Sequence, residues 1–295
     1  MKKILSVFLV FVMLMLAAGV MLLSPTFAGY EVYSDLAYGE GEREIMDIYL
    51  PKEAYRREAN GCVLFIHGGS WKSGDKREEE LRCRSIAGRG YIAAAMNYTL
   101  YTEENKDSYT VDIVLDQIDA ALGYIRSFSD KMGINVTYGA TSGYSAGAHL
   151  SMLYSFSRKD SSPLDIKFTA NLAGPADIDP EIWGDELAVR IGEMLSGRAI
   201  TEEMLSDGEA DNIFREISPV SYVDAATVPS IFVYGGRDDT VSKENGESLR
   251  DAFDAAGVKY DYLFLPRSTH ALIENPIRRL SYIFLIEEYC DEYFA

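Results

Sequence analysis

Two unbroken apolar runs of strand length, Cys62-Val63-Leu64-Phe65-Ile66 and residues 91–96, constrain this chain more than any other feature. A strand with no polar residue on either face must be covered on both, as in a parallel sheet held between helix layers. The flanking stretches keep the same rhythm. A charged, helix-like pattern over 77–88 ends at Gly88 and Gly90. Val111, Val114, Leu115, Ile118, Leu122 and Ile125 mark one face of a helix over 111–128. Strands over 136–141, 166–172, 230–234 and 260–265 alternate with helices over 146–157, 243–256 and 277–292. This predicts the α/β class, a mostly parallel sheet with helices on both faces. Residues 30–36 and 44–50 read as two leading strands, paired antiparallel at one edge. Residues 177–222 break the pattern with Trp183, an amphipathic stretch over 185–196 and an acidic one over 201–216. They predict a short helical, lid-like insertion over the carboxyl edge, where open α/β sheets bind ligands.

A segment of another kind comes first. Lys2 and Lys3 precede an apolar run over 4–23 that only Ser6 interrupts, and small residues stand at Thr26 and Ala28. That layout predicts a signal peptide over 1–28, cleaved after Ala28. The run is also long enough, as a helix, to cross a bilayer core of about 30 Å, so an uncleaved membrane anchor is the alternative. On either reading residues 29–295 form the working domain, secreted or otherwise extracytoplasmic. The formal net charge is −18; residues 1–28 hold two lysines and no acid, so the remainder carries −20. Such a surface repels nucleic acid phosphates and anionic lipid, which excludes nucleic acid as a partner and leaves membrane contact only to an uncleaved amino terminus. Cys62, Cys83 and Cys290 are too few and scattered for a disulfide framework. One disulfide among them stays open, and no pair has metal-ligand spacing.

The chemistry-bearing motifs fall where strands end. Gly143-Tyr144-Ser145-Ala146-Gly147 joins the strand over 136–141 to the helix over 146–157, which puts Ser145 on a sharp turn with its hydroxyl lifted clear of the sheet. His67-Gly68-Gly69-Ser70-Trp71 follows the strand over 62–66, where glycines let main-chain amides face a ligand. The amides of Gly69, Ser70 and Ala146 are the expected oxyanion hole. Of three histidines, His67 braces the oxyanion turn and His149 lies inside the helix as a core residue. His270, in a loop after the last strand, is therefore the base. Asp238 and Asp239, in the loop after the strand over 230–234, compete as the acid that orients it. Trp71, Tyr98, Tyr144 and Trp183 are candidate walls of a substrate pocket, with ordinary packing as the alternative for each.

These motifs, with Asp47-Ile48-Tyr49-Leu50-Pro51, Lys72-Ser73-Gly74-Asp75-Lys76 and Ser218-Pro219-Val220-Ser221-Tyr222-Val223, make the chain resemble the α/β-hydrolase esterase/lipase group, in particular its bacterial feruloyl-esterase-like subgroup. The resemblance spans about residues 30–293. It implies the α/β-hydrolase fold and the chain order Ser, Asp, His. It favours Asp238, three residues after Gly235 and three before Val241, over Asp239. Relatives often carry a third glycine where Ser70 stands and a second where Ala148 stands. The implied activity is hydrolysis of short acyl, acetyl or hydroxycinnamoyl esters, small-molecule or carbohydrate, without metal or organic cofactor. A peptidase or arylformamidase of the same fold, and a non-catalytic binding protein, are the alternatives.

Overall fold

The apolar run over 62–66 lies in a central strand of an eight-stranded sheet. The computed structural model describes residues 29–274 and 276–294; the segment read as a signal or anchor lies outside the described residues. The strands are β1 (Tyr30–Ala37), β2 (Ile45–Pro51), β3 (Asn60–Ile66), β4 (Ile92–Met96), β5 (Val136–Tyr144), β6 (Asp165–Leu172), β7 (Ser230–Gly235) and β8 (Tyr260–Leu265). Their order across the sheet is β1-β2-β4-β3-β5-β6-β7-β8. β1 pairs antiparallel with β2, and β2 antiparallel with β4. Every other pairing is parallel, as the double-sided apolar strands demand. The fold is that of the α/β-hydrolases.

Alternation along β3 decides which core each side chain enters. Cys62, Leu64 and Ile66 join one cluster, Val63 and Phe65 the other. The first core is closed by helices α2 (Val111–Lys131), α3 (Ala146–Ser157) and α8 (Glu244–Ala256). The second is closed by α1 (Glu80–Gly88) and α9 (Pro276–Tyr293). Cys62, Cys83 and Cys290 are all buried and free. Between α3 and the sheet lies a knot of buried hydroxyls: Thr141 Oγ1 is 2.7 Å from both Ser151 Oγ and Ser155 Oγ, and 3.1 Å from Thr169 Oγ1. Bonds of this kind add about 0.5–1.5 kcal/mol each, and because every member needs its partner they fix the helix in one register.

Between β6 and β7 the chain forms α4 (Pro180–Trp183), α5 (Asp185–Ser196), α6 (Glu202–Asp207) and α7 (Ala210–Ile217). The acidic stretch splits in two because Gly208 turns the chain at φ 82°. Thr201 starts α6 by accepting from the Met204 amide. Among the described residues no helix is long and apolar enough to cross a membrane.

On the second face, Glu287 of α9 is 7% exposed and meets Arg89, whose Nε lies 3.2 Å from its carboxylate. Burial pushes its carboxyl up to about 7, against Arg89 and helped by Asp291 and Glu288. The folded protein therefore binds this proton more tightly than the unfolded chain, where it titrates near 4.5. The group's contribution to stability is complete below about 4.5 and is lost as pH rises through about 7. Glu287→Gln should melt with the wild type at pH 4.5. At pH 8 it should exceed it by about 2 kcal/mol, a Tm gain of roughly 5 °C. Equal melting temperatures at both pH values in scanning calorimetry would show that the carboxylate is buried at no cost.

Candidate active site

Ser145 occupies a backbone conformation that side chains rarely adopt, φ 54° and ψ −122°, between the last residue of β5 and the first of α3. The turn is this tight because α3 crosses directly over the end of β3. A Cβ at Gly147 would overlap the carbonyls of Ile66 and His67, and one at Gly143 would overlap the backbone of Gly147. The two glycines flanking the serine are thus demanded by backbone contact.

The Ser145 hydroxyl donates to Nε2 of His270 at 2.9 Å, and Nδ1–H of the same ring donates to Oδ2 of Asp238 at 2.7 Å. The Asp238 side chain is fully buried, and its other oxygen accepts from the amides of Thr240 and Val241, both at 2.9 Å. A carboxylate held by two amides cannot swing away from the ring, so the imidazole is kept in the tautomer whose free nitrogen faces the serine. Asp239 is exposed beside it. Of the two aspartates it is Asp238, the one the resemblance favours, that is buried against the His270 ring.

The other two histidines are committed elsewhere. His67 stacks on Tyr98 with centroids 4.3 Å apart, and its Nδ1–H donates to the Gly68 carbonyl at 2.7 Å. His149 is wholly buried: Nε2–H donates to the Ile217 carbonyl at 2.8 Å, while Nδ1 accepts from the Trp71 indole at 3.3 Å. Burial pulls both rings down to about 4. His270 alone has a nitrogen facing Ser145.

A cavity of about 790 Å³ opens over Ser145. Ser70 and Ala146 line it beside the serine, as do Trp71 and Trp183. Gly69 bends the loop at φ 114°, where its carbonyl accepts from the amides of Lys72 and Ser73 at 3.0 Å. Ser70 and Trp71 follow with φ 53° and 60°. Two of the candidate pocket aromatics stand elsewhere. Tyr98 is fully buried and gives its hydroxyl to the His67 carbonyl. Tyr144 does not line this cavity, which corrects its expected role as a substrate wall. β5 runs on to Tyr144, so strand alternation aims it to the same side as Ser142, towards α9. There its hydroxyl donates to the His270 carbonyl at 3.1 Å.

Sequence reasoning passed over Tyr101 and Arg190, which also line the cavity. The signal for Tyr101 was its place just beyond β4, at the same edge as the other loops. Among the described residues no group of three or more His, Cys, Asp or Glu is placed to hold a metal ion.

Comparisons with known proteins bear on this arrangement. Esterase LipC of Mycobacterium tuberculosis is 23% identical over 79% of this chain, and the matched part is 58% of LipC's own length. Kynurenine formamidase of Danio rerio is 23% identical over 82% of this chain and 75% of that protein. Among solved structures, a truncated carbohydrate esterase from gut microbiota superposes with a TM-score of 0.71 at 18% identity, covering 90% of this chain and 98% of that one. The BD-FAE family model matches residues 46–253, which run from within β2 into α8 and include Ser145 and Asp238, and the chain belongs to the BD-FAE family.

Proposed function

We propose that this protein is a serine hydrolase of carboxylic esters, with Ser145 as nucleophile, His270 as general base and Asp238 as the acid that orients the base. The observation that carries this reading is the unbroken hydrogen-bond line from Asp238 through His270 to Ser145. Ser145 Oγ attacks the ester carbonyl as His270 Nε2 takes its proton. The tetrahedral oxyanion is held by the amides of Ser70 and Ala146 with that of Gly69, each donor contributing roughly 3–4 kcal/mol. The amino terminus of α3 adds partial positive charge at the same point. The intermediate then collapses, the alcohol leaves with the proton from His270, and a water activated by the same ring releases the acid. The scheme uses no metal or organic cofactor.

The esterase names of the mycobacterial relative and of the carbohydrate esterase support an ester as the scissile group. Trp71 and Trp183 offer aromatic and apolar surface to a short acyl, acetyl or hydroxycinnamoyl ester, small-molecule or carbohydrate. Residues 29–295 are the catalytic domain, and 177–222 act as a lid-like wall over the serine. The pattern of residues 1–28 supports work outside the cytoplasm, either secreted after cleavage or held by an anchor that is the sole membrane contact. A second reading, hydrolysis of an aryl formamide, is favoured by the formamidase relative, of which the matched part is 75%. It needs the same serine, oxyanion donors and histidine, with an aromatic amine as leaving group.

Ser145→Ala should abolish turnover of p-nitrophenyl acetate and labelling by a fluorophosphonate, and full activity in that variant would end the proposal. Asp238→Asn keeps the bonds from Thr240 and Val241 but turns an amide N–H towards the ring. We expect kcat to fall about 10³–10⁴-fold with folding intact; a loss under tenfold would remove Asp238 from the mechanism. A panel of acetylated xylan, feruloyl esters, p-nitrophenyl esters and a formyl anilide separates the two readings, because a formamidase turns over the anilide in preference to every ester.

A further inference from the structure

Resting on the ester-hydrolase reading, we propose that His149 is a positioning residue for the oxyanion loop. Its Nδ1 holds Trp71, and with it the Ser70 amide, in register with Ser145, and its Nε2 ties the end of the insertion to the same helix. The loop needs such a restraint. Ser70 and Trp71 are consecutive residues with side chains at φ 53° and 60°. Left-handed backbone of this kind costs roughly 1–2 kcal/mol per residue and persists only where the surroundings hold it.

The restraints can be named. Gly69 O gathers the amides of Lys72 and Ser73, and the Tyr101 amide donates to Trp71 O at 2.8 Å. The Trp71 side chain is packed in the apolar core, and its polar tie is to His149, by the indole N–H bond and by an edge-on ring contact at 5.3 Å and 89°. His149 is itself rigidly placed relative to the nucleophile, because its own amide donates to Ser145 O at 3.0 Å, one helical turn away. Its second nitrogen donates to the carbonyl of Ile217, the last residue of α7. One ring therefore joins three segments: the oxyanion loop, the nucleophile helix and the base of the insertion.

A core position that needed only volume would be better filled by leucine or phenylalanine, since a buried imidazole must be hydrogen-bonded at both nitrogens to avoid a desolvation penalty. Both are bonded here, one to the loop that lines the cavity and one to the last residue of the insertion's α7. Loss of the Trp71 bond frees the loop to relax out of its strained conformation, which moves the Ser70 amide. An amide that meets the substrate oxygen only once it carries charge acts in the transition state, so its displacement lowers kcat and spares KM.

Three variants separate the two halves of the link. Asparagine places an acceptor near the position of Nδ1, and glutamine places a donor near that of Nε2. His149→Gln should lower kcat for a p-nitrophenyl ester about tenfold or more, with KM within about twofold, and slow fluorophosphonate labelling to the same degree; Trp71→Phe should lower kcat likewise, whatever its KM, since the indole also borders the cavity. His149→Asn, which keeps the Trp71 bond, should hold kcat within about threefold of wild type even where its Tm falls as far as that of His149→Gln. The inference is overturned if Trp71→Phe keeps wild-type kcat, if the loss in His149→Gln lies in KM, or if His149→Asn loses as much as His149→Gln. Should the His149 variants fail to fold, Trp71→3-benzothienylalanine, which keeps the bicyclic shape and removes the N–H donor, decides in their place, with the same loss of kcat expected and wild-type kcat overturning the inference. A wild type without turnover or labelling sinks the hydrolase reading and this inference with it; an active wild type matched by Trp71→Phe sinks this inference only.

Discussion

Everything at the carboxyl edge depends on one steric contact: the first turn of α3 rests on the backbone at the end of β3, with no side chain between them. Gly147 lies against the carbonyls of Ile66 and His67 so closely that a single added carbon would overlap them. The contact is repulsive in nature, a limit on approach, yet it fixes the geometry that attraction then uses. It forces Ser145 into its high-energy backbone conformation and stands the hydroxyl above the sheet. It also sets the loop that leaves β3 beside the amino terminus of α3, so that backbone donors from two distant segments border one serine. Strain in Ser145, Ser70 and Trp71 is the consequence, and the packing of two apolar cores supplies the free energy that sustains it.

Much of this was legible because the strongest constraints are local in the chain. An unbroken apolar run reads as a two-sided strand, and Ser145 between a strand and a helix reads as an exposed hydroxyl, whatever the remaining residues do. The fold class and the antiparallel leading edge followed from such signals. What could not be read depends on distance in space. Family spacing favours Asp238 over its identical neighbour Asp239, but the physical reason, burial against His270 with the amides of Thr240 and Val241, is visible only in space. The side that Tyr144 faces depends on β5 continuing past Thr141, which the sequence pattern does not mark. The three further residues of strand are what turn its ring to the α9 side. The bond from His149 to Ile217 spans 68 positions and leaves no periodic trace.

Polar ties in the interior share one logic. The hydroxyl knot around Thr141, the link through His149 and the bonds from Ala176 and Asp177 amides to the buried Asn245 add little net stability, since water would satisfy the same groups in the unfolded chain. Their effect is on uniqueness. A buried donor without its acceptor is expensive, so each tie removes alternative packings of α3 and of the insertion while leaving the native one. Precision in the site is therefore set by polar groups in a core whose cohesion is apolar.

The cavity wall divides by origin. Its floor, Ser70, Trp71, Ser145 and Ala146, belongs to the turns at the carboxyl edge of the sheet. Its outer wall comes mainly from α4, α5 and the chain after them, with Trp183, Arg190, Ile191 and Arg198. Thr201 caps α6, and the Trp183 indole closes on Asp177 O at 2.7 Å, so the insertion carries its own local structure. Four basic and three acidic side chains line the cavity on a protein of net charge −18, so the lining does not share the sign of the outer surface. The segment that supplies this outer wall is joined to the helix after Ser145 by apolar packing and by the bond from His149 to the Ile217 carbonyl.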